Sequence, residues 1–193
     1  MDDSVVADVP RAIPSILADT ARLGFGMASD AQTGALLRVL AASKPGGRVL
    51  ELGTGTGAAT AWLLDGMTAD ATLLSVDSAP DVQAVARRHL GHDPRLTLVT
   101  ADAAVVLRGG ATGSFDLVFA DAWPGKYSHL DAALARVAPG GFYVIDDMLP
   151  QPNWPAGHQA RVDTLLARLD ACDELRLTRL AWSTGILLAT RRP

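Results

Sequence analysis

At 193 residues, 49% of them hydrophobic and 20% charged, the chain is long enough for one domain with a full core and too short for two ordinary ones. No apolar run approaches the roughly 20 residues that cross a bilayer, and the N-terminus opens on acids, so neither a membrane span nor a signal peptide is expected. The net charge of -4 has no block of like charges behind it, which argues against a nucleic-acid partner, and the single cysteine, Cys172, excludes an internal disulfide. A cytoplasmic protein that handles small molecules is the expectation.

No internal repeat, low-complexity tract or linker divides the chain. The segments Ile13 to Leu23 and Ala31 to Ala42 place apolar residues at helical spacing, and Ser29-Asp30 is a good N-cap pair for the second. Short apolar runs then alternate with helical stretches: "RVLEL" (48–52), "TLLSV" (72–76), "LTLV" (96–99), "FDLVFA" (115–120) and "FYVID" (142–146). Their continuous rather than alternating hydrophobicity predicts strands buried on both faces, as in a parallel sheet covered by helices. After a helix over Gln159 to Leu169 come "LRLTRLAW" and "GILLATRR", joined through "STG", a connection too short for a crossover helix. The fold class is therefore α/β: a Rossmann-like, doubly wound sheet of five parallel strands closed by an antiparallel hairpin, seven strands in all, with two N-terminal helices over 1–43 and a core over 48–191. Such sheets bind ligands beyond the carboxyl ends of their strands.

The first strand runs into "GTGTGA". Gly53, Gly55 and Ala58 satisfy the dinucleotide pattern G-x-G-x-x-G/A, and Asp77, at the end of the second strand, stands where a ribose-binding acid belongs, so an NAD-dependent oxidoreductase is one reading. The stretch also reads E-x-G-x-G-x-G from Glu51 through Gly53, Gly55 and Gly57, the signature of S-adenosylmethionine (SAM) methyltransferases. A carboxylate at Glu51 would repel a pyrophosphate and welcome a sulfonium and an ammonium, which favours SAM. The reversed strand at the end of the sheet points the same way. A tight strand-to-helix turn without ligand is the structural alternative.

From residue 24 to 191 the chain resembles the small-molecule O-methyltransferases that include the catechol and caffeoyl-CoA enzymes. "GFGMASDAQTGALLRVL" is similar to the family segment before the first strand, with Met27 in the place of a methionine that packs on the cofactor and Gly34 on a family glycine. "VLELGTGTG" matches motif I, "LLSVD" supplies Asp77 for the ribose hydroxyls, and "VTADA" supplies Asp102 near the adenine. The resemblance implies that Thr54, Ser78 and Ala103, beside these positions, also touch the cofactor. "FDLVFADAWPGKY" carries Asp121, Trp123 and Tyr127 in family places, and "GGFYVIDDML" carries Asp146 and Asp147 where the family has Asp-Asn. In metal-dependent members these aspartates hold Mg²⁺ or a similar hard cation, so the resemblance implies a Mg²⁺ or Ca²⁺ site of Asp121, Asp146 and Asp147.

The family's base lysine is Pro124 here. Lys126 follows two positions on, and it is either folded back into the same space by Pro-Gly or a solvated lysine at the start of the next helix. Asp121 and Lys126 are the catalytic candidates, and a metal-bound hydroxyl, an aspartate or water could also serve the deprotonation. His89 and His92 read as helix-terminus residues, His129 as one face of a surface helix, and Asn153, Trp154 and His158 as lining for a substrate pocket or as packing. The function that follows is SAM-dependent methyl transfer to a hydroxyl of a small molecule, with a NAD-dependent oxidoreductase or a non-catalytic SAM-binding protein as alternatives. The oligomeric state is left open, a homodimer included.

Overall fold

A computed structural model describes residue 2, residues 5–110 and residues 113–193. Helix α1 (Ile13–Leu23) begins with a proline in its first turn and stops at Gly24, whose φ of 69° lets its N–H turn back onto the Thr20 and Ala21 carbonyls. Helix α2 (Ala31–Ala42) starts where the Asp30 carboxylate accepts the Thr33 N–H at 2.9 Å, as the Ser-Asp pair predicts. The sheet follows, as β1 (Arg48–Leu52), β2 (Thr72–Asp77), β3 (Leu96–Thr100), β4 (Phe115–Ala120) and β5 (Val137–Ile145), then the hairpin β6 (Leu175–Leu180) and β7 (Ile186–Arg191). Between them lie α3 (Ala58–Gly66), α4 (Pro80–Leu90), α5 (Ala103–Val105) with a π-turn over Val106–Gly110, α6 (Trp123–Lys126), α7 (Leu130–Leu134) and α8 (His158–Asp170).

The strand order is β3-β2-β1-β4-β5-β7-β6, parallel from β3 to β5, with β7 inserted antiparallel between β5 and β6. Continuous hydrophobicity in the strands has the expected cause. Val49, Leu117 and Phe119 join one core with Ile16 of α1, Leu37 of α2 and Trp62 of α3, while Leu50, Leu52, Val118 and Ala120 join the other with Leu130 of α7 and Val162 of α8. Gly34 lets α2 lie flat on α3, since a Cβ there would stand 2.2 Å from the Trp62 ring.

Strand β5 and His129 differ from expectation. Strand β5 starts at Val137 rather than 142, with a register shift against β4 between Phe115 and Leu117, and it closes at Ile145, so that Asp146 already belongs to the loop beyond. His129 is not part of a helical surface; it precedes α7 with φ 55° and meets Arg108 through its ring nitrogen. No described helix is long and apolar enough to cross a membrane.

Candidate active site

The switch in strand order falls between β1 and β4, and the loops after these strands meet there. Gly53 has φ 104°, and a Cβ on it would lie 2.6 Å from the Asp121 carbonyl oxygen; Gly57 has φ 93°, and its Cβ would lie 2.7 Å from Ala86. These two glycines are required by the protein's own packing. Gly55, with φ 54°, faces only the Phe25 ring, 3.4 Å from where its Cβ would be, and is the one glycine of the loop with space for a ligand. The Asp77 carboxylate holds the loop to β2: Oδ2 accepts the Gly55 N–H at 2.7 Å and Oδ1 accepts the Ala79 N–H at 2.8 Å. Each oxygen keeps a lone pair for a further donor, which suits a ribose hydroxyl. Asp102 caps α5 by accepting the Ala104 N–H and stays exposed, as does Ser78, whereas Ala103 is buried behind it. The Thr54 hydroxyl is turned inward onto Ser75 and Gln83, so only its backbone faces the loop's outer side.

After β4 the chain makes the turn that the sequence left open. Pro124 (ψ 128°) and Gly125 (φ 102°) break the short helix α6, and the Gly125 carbonyl accepts a hydrogen bond from the buried Tyr143 hydroxyl. A Cβ on Gly125 would come within 2.8 Å of Leu52. The kink swings Lys126 inward until it is 5% exposed, with Nζ 2.8 Å from Asp121 Oδ1 and 4.0 Å from Asp147 Oδ2. Lys126 is thus folded back into the site, and the solvated alternative is ruled out.

A cavity of about 350 Å³ opens on this pair. Met27, Ser29, Asp30, Asp121, Trp123, Lys126, Asp146, Asp147, Asn153, Trp154, His158 and Thr184 are among the residues that line it. Its aromatic wall is continuous: His158 lies edge-on to Tyr127 and Trp123, with Trp154 tilted against it at 4.5 Å between centroids, and Tyr127 Oη and His158 Nε2 stand 3.1 Å apart. Met27 and Trp123 remain largely exposed at its mouth. Ser29 and Thr184 escaped the sequence reading. Thr184 donates to Asp146, and it arrives because β7 pairs antiparallel with β5, which sets the turn of the terminal hairpin beside the end of β5.

Comparison with known proteins fits this geometry. A family described as a methyltransferase domain matches residues 50–148. A protein of Mycolicibacterium vanbaalenii, provisionally named an O-methyltransferase, is 39% identical over 128 residues, covering 64% of this chain and 56% of that protein. One of Mycobacterium marinum with the same provisional name is 35% identical over 180 residues, covering 88% of this chain and 80% of that protein. This chain belongs to the SAM-dependent O-methyltransferase family. The crystal structure of a Klebsiella pneumoniae protein, also provisionally named an O-methyltransferase, superposes on the methyltransferase with a TM-score of 0.83 at 26% identity, covering 98% of this chain and 92% of that one.

Within the methyltransferase, Glu51 does not play the part its charge suggested. It points under α3, is 0% exposed, and accepts hydrogen bonds from Thr60 and Ser75 on Oε2, while Oε1 has no partner among the described residues. Burial raises its pKa from 4.5 to about 8, which favours the protonated acid at neutral pH. Because the folded pKa lies above the unfolded one, this group's contribution is fully present below about pH 4.5 and is lost as pH rises through about 8. Glu51→Gln is therefore expected to flatten the pH dependence of unfolding by up to about 1.4 kcal/mol per pH unit across that window and to leave cofactor affinity within a few-fold. Melting curves of parent and variant that stay parallel from pH 5 to 9 would show Glu51 to be charged.

The three aspartates of the implied metal site do not converge as a ligand set: among the described residues no group of three or more His, Cys, Asp or Glu side chains is placed to hold a metal ion. A cationic side chain stands between them instead. Burial opposes the charge on Lys126, but Asp121, Asp147 and Asp146 outweigh it and hold the ammonium's pKa above its ordinary value. Asp146 Oδ1 is already taken by Thr184 and by the Asp147 N–H, and Asp147 is held at φ 60°. A dication 4 Å from that ammonium would be repelled by about 8 kcal/mol at an effective dielectric of 20. The donor set as folded does not fit Mg²⁺ or Ca²⁺. Burial first, then the charge of Asp121, raise Asp146 to about 7, and the same two causes raise Asp147.

Proposed function

We propose that the chain methylates a hydroxyl oxygen of a small molecule bound in the cavity over Asp121 and Lys126. The observation that supports this most directly is the placement of that buried pair where the cavity meets the glycine loop, since the Asp121 backbone abuts Gly53 while its carboxylate faces the cavity. SAM, when bound along Gly55 and Asp77, supplies a methyl already activated by a cationic sulfur. The residues of this chain then have three tasks. The aromatic wall orients the acceptor and excludes water, Lys126 donates a hydrogen bond to the acceptor oxygen as it becomes anionic, and Asp121 takes the hydroxyl proton. With the methyl supplied already activated, position and deprotonation would be the protein's contribution. Lys126 acts as an ammonium here and not as the free amine of a general base.

Titration calorimetry with S-adenosylhomocysteine tests the reading. Micromolar affinity is expected, about -8 kcal/mol, and Asp77→Ala is expected to lose about 1.5–3 kcal/mol of it, because both the ribose acceptor and the brace on Gly55 disappear. Binding of NADH in place of S-adenosylhomocysteine would reject the proposal in favour of an oxidoreductase. Tight S-adenosylhomocysteine binding without methylation of any phenol or alcohol would leave a cofactor-binding protein.

A further inference from the structure

We propose that the Lys126 ammonium is the resident cation of the acceptor pocket, pairing with the carboxylates that a divalent metal would need, so that methyl transfer needs no metal and requires only one hydroxyl on an aromatic acceptor. This rests on the methyl-transfer reading above. The ammonium is locked in place rather than visiting: Lys126 is 5% exposed, and the kink that carries it is held by the Gly125 N–H to the Ser128 carbonyl at 2.7 Å and by Tyr143 on the Gly125 carbonyl. Its nearest charges are the Asp121 and Asp147 carboxylates, at 2.8 and 4.0 Å, so it neutralises part of the acidic cluster that a cation would otherwise be drawn to.

The difference between the two cations shapes specificity. A hard dication opens several coordination positions and can bind two adjacent oxygens at once, whereas an ammonium has three N–H donors, one of them already given to Asp121. Two N–H donors remain, enough to hold a single acceptor oxygen without the ortho partner that a chelating dication engages. The rest of the recognition falls to the wall of Trp123, Tyr127, Trp154 and His158, whose rings suit a planar aromatic acceptor.

The experiment measures melting of the full chain saturated with S-adenosylhomocysteine, with and without MgCl₂, CaCl₂ or MnCl₂, for the parent, Lys126→Met and Lys126→Arg. The parent and Lys126→Arg are expected to ignore all three metals. Lys126→Met, which frees the carboxylates, is expected to gain a saturable rise in melting temperature. In parallel, parent turnover of a monophenol is expected to be unchanged by excess EDTA and at least equal to that of the matching ortho-diol. A saturable metal-induced rise in the parent that Asp121→Ala removes overturns the proposal, and so does turnover abolished by EDTA and restored by metal. Should Lys126→Met fail to fold, the parent's metal response and its EDTA arm still decide. Calorimetry on the same samples separates the two readings: a parent that binds S-adenosylhomocysteine and responds to metal loses only the lysine proposal, whereas one that does not bind it loses both.

Discussion

Lys126→Met is expected to lower kcat by about 10²–10³-fold, equivalent to about 2.7–4 kcal/mol, with little change in affinity for S-adenosylhomocysteine. The methionine fills the same space without charge, so the acceptor oxygen loses the one donor that strengthens as negative charge develops on it. Because that interaction belongs to the transition state, kcat and kcat/KM fall together rather than KM rising alone. The variant also pays in stability. Removing one partner of a buried ion pair costs about 3–5 kcal/mol, since Asp121 is left without its counter-charge beside Asp146 and Asp147. That loss has a sign in pH: with the ammonium gone Asp146 and Asp147 favour protonation still more, so the variant recovers stability as pH falls and loses it as pH rises. Single-turnover kinetics beside calorimetry on one preparation checks both halves. Turnover equal to the parent's would remove Lys126 from the reaction.

Gly53→Ala is expected to lose about 2–6 kcal/mol of folding stability, out of the 5–15 typical of a domain. Two costs combine. The backbone at φ 104° is one that only glycine adopts freely, and the added methyl would sit 2.6 Å from the Asp121 oxygen and 2.9 Å from its carbonyl carbon. Neither neighbour is the flexible end of a side chain, so relief requires β1 and β4 to part at their carboxyl ends. That movement takes Asp121 away from Lys126, and activity should fall beyond what the lost stability explains. Gly109→Ala is the control: it has open space and an ordinary backbone conformation, and a change within about 0.5 kcal/mol is expected. Urea unfolding of the three proteins gives the comparison, and equal midpoints for Gly53→Ala and the parent would mean that the loop does not pack on Asp121 as described.

Much of the architecture was legible because it is written in local chemistry. The runs at 48–52 and 115–120 are mostly hydrophobic, interrupted by Arg48, Glu51 and Asp116, since both faces of their strands are covered, and "STG" is too short for anything but a hairpin. Asp30 was readable as a cap and Asp77 as the acid closing β2, for Asp30 accepts from Thr33 three residues on and Asp77 from Ala79 two residues on.

What the tertiary structure decided is wherever a residue's meaning depends on a neighbour far along the chain. Three alternating glycines look alike in sequence, yet Gly53 answers to the Asp121 backbone, Gly57 to Ala86, and Gly55 only to the edge of the Phe25 ring. Glu51 reads as a carboxylate, and it is burial between α3 and β2 that keeps its proton, because a charge without water or a counter-ion is too costly there. Lys126 is two residues out of step with the lysine that the resemblance led one to seek. The kink at Pro124-Gly125 corrects that step, and Leu52, Ser128 and Tyr143, which hold the kink, come together only when β1, β4 and β5 lie side by side.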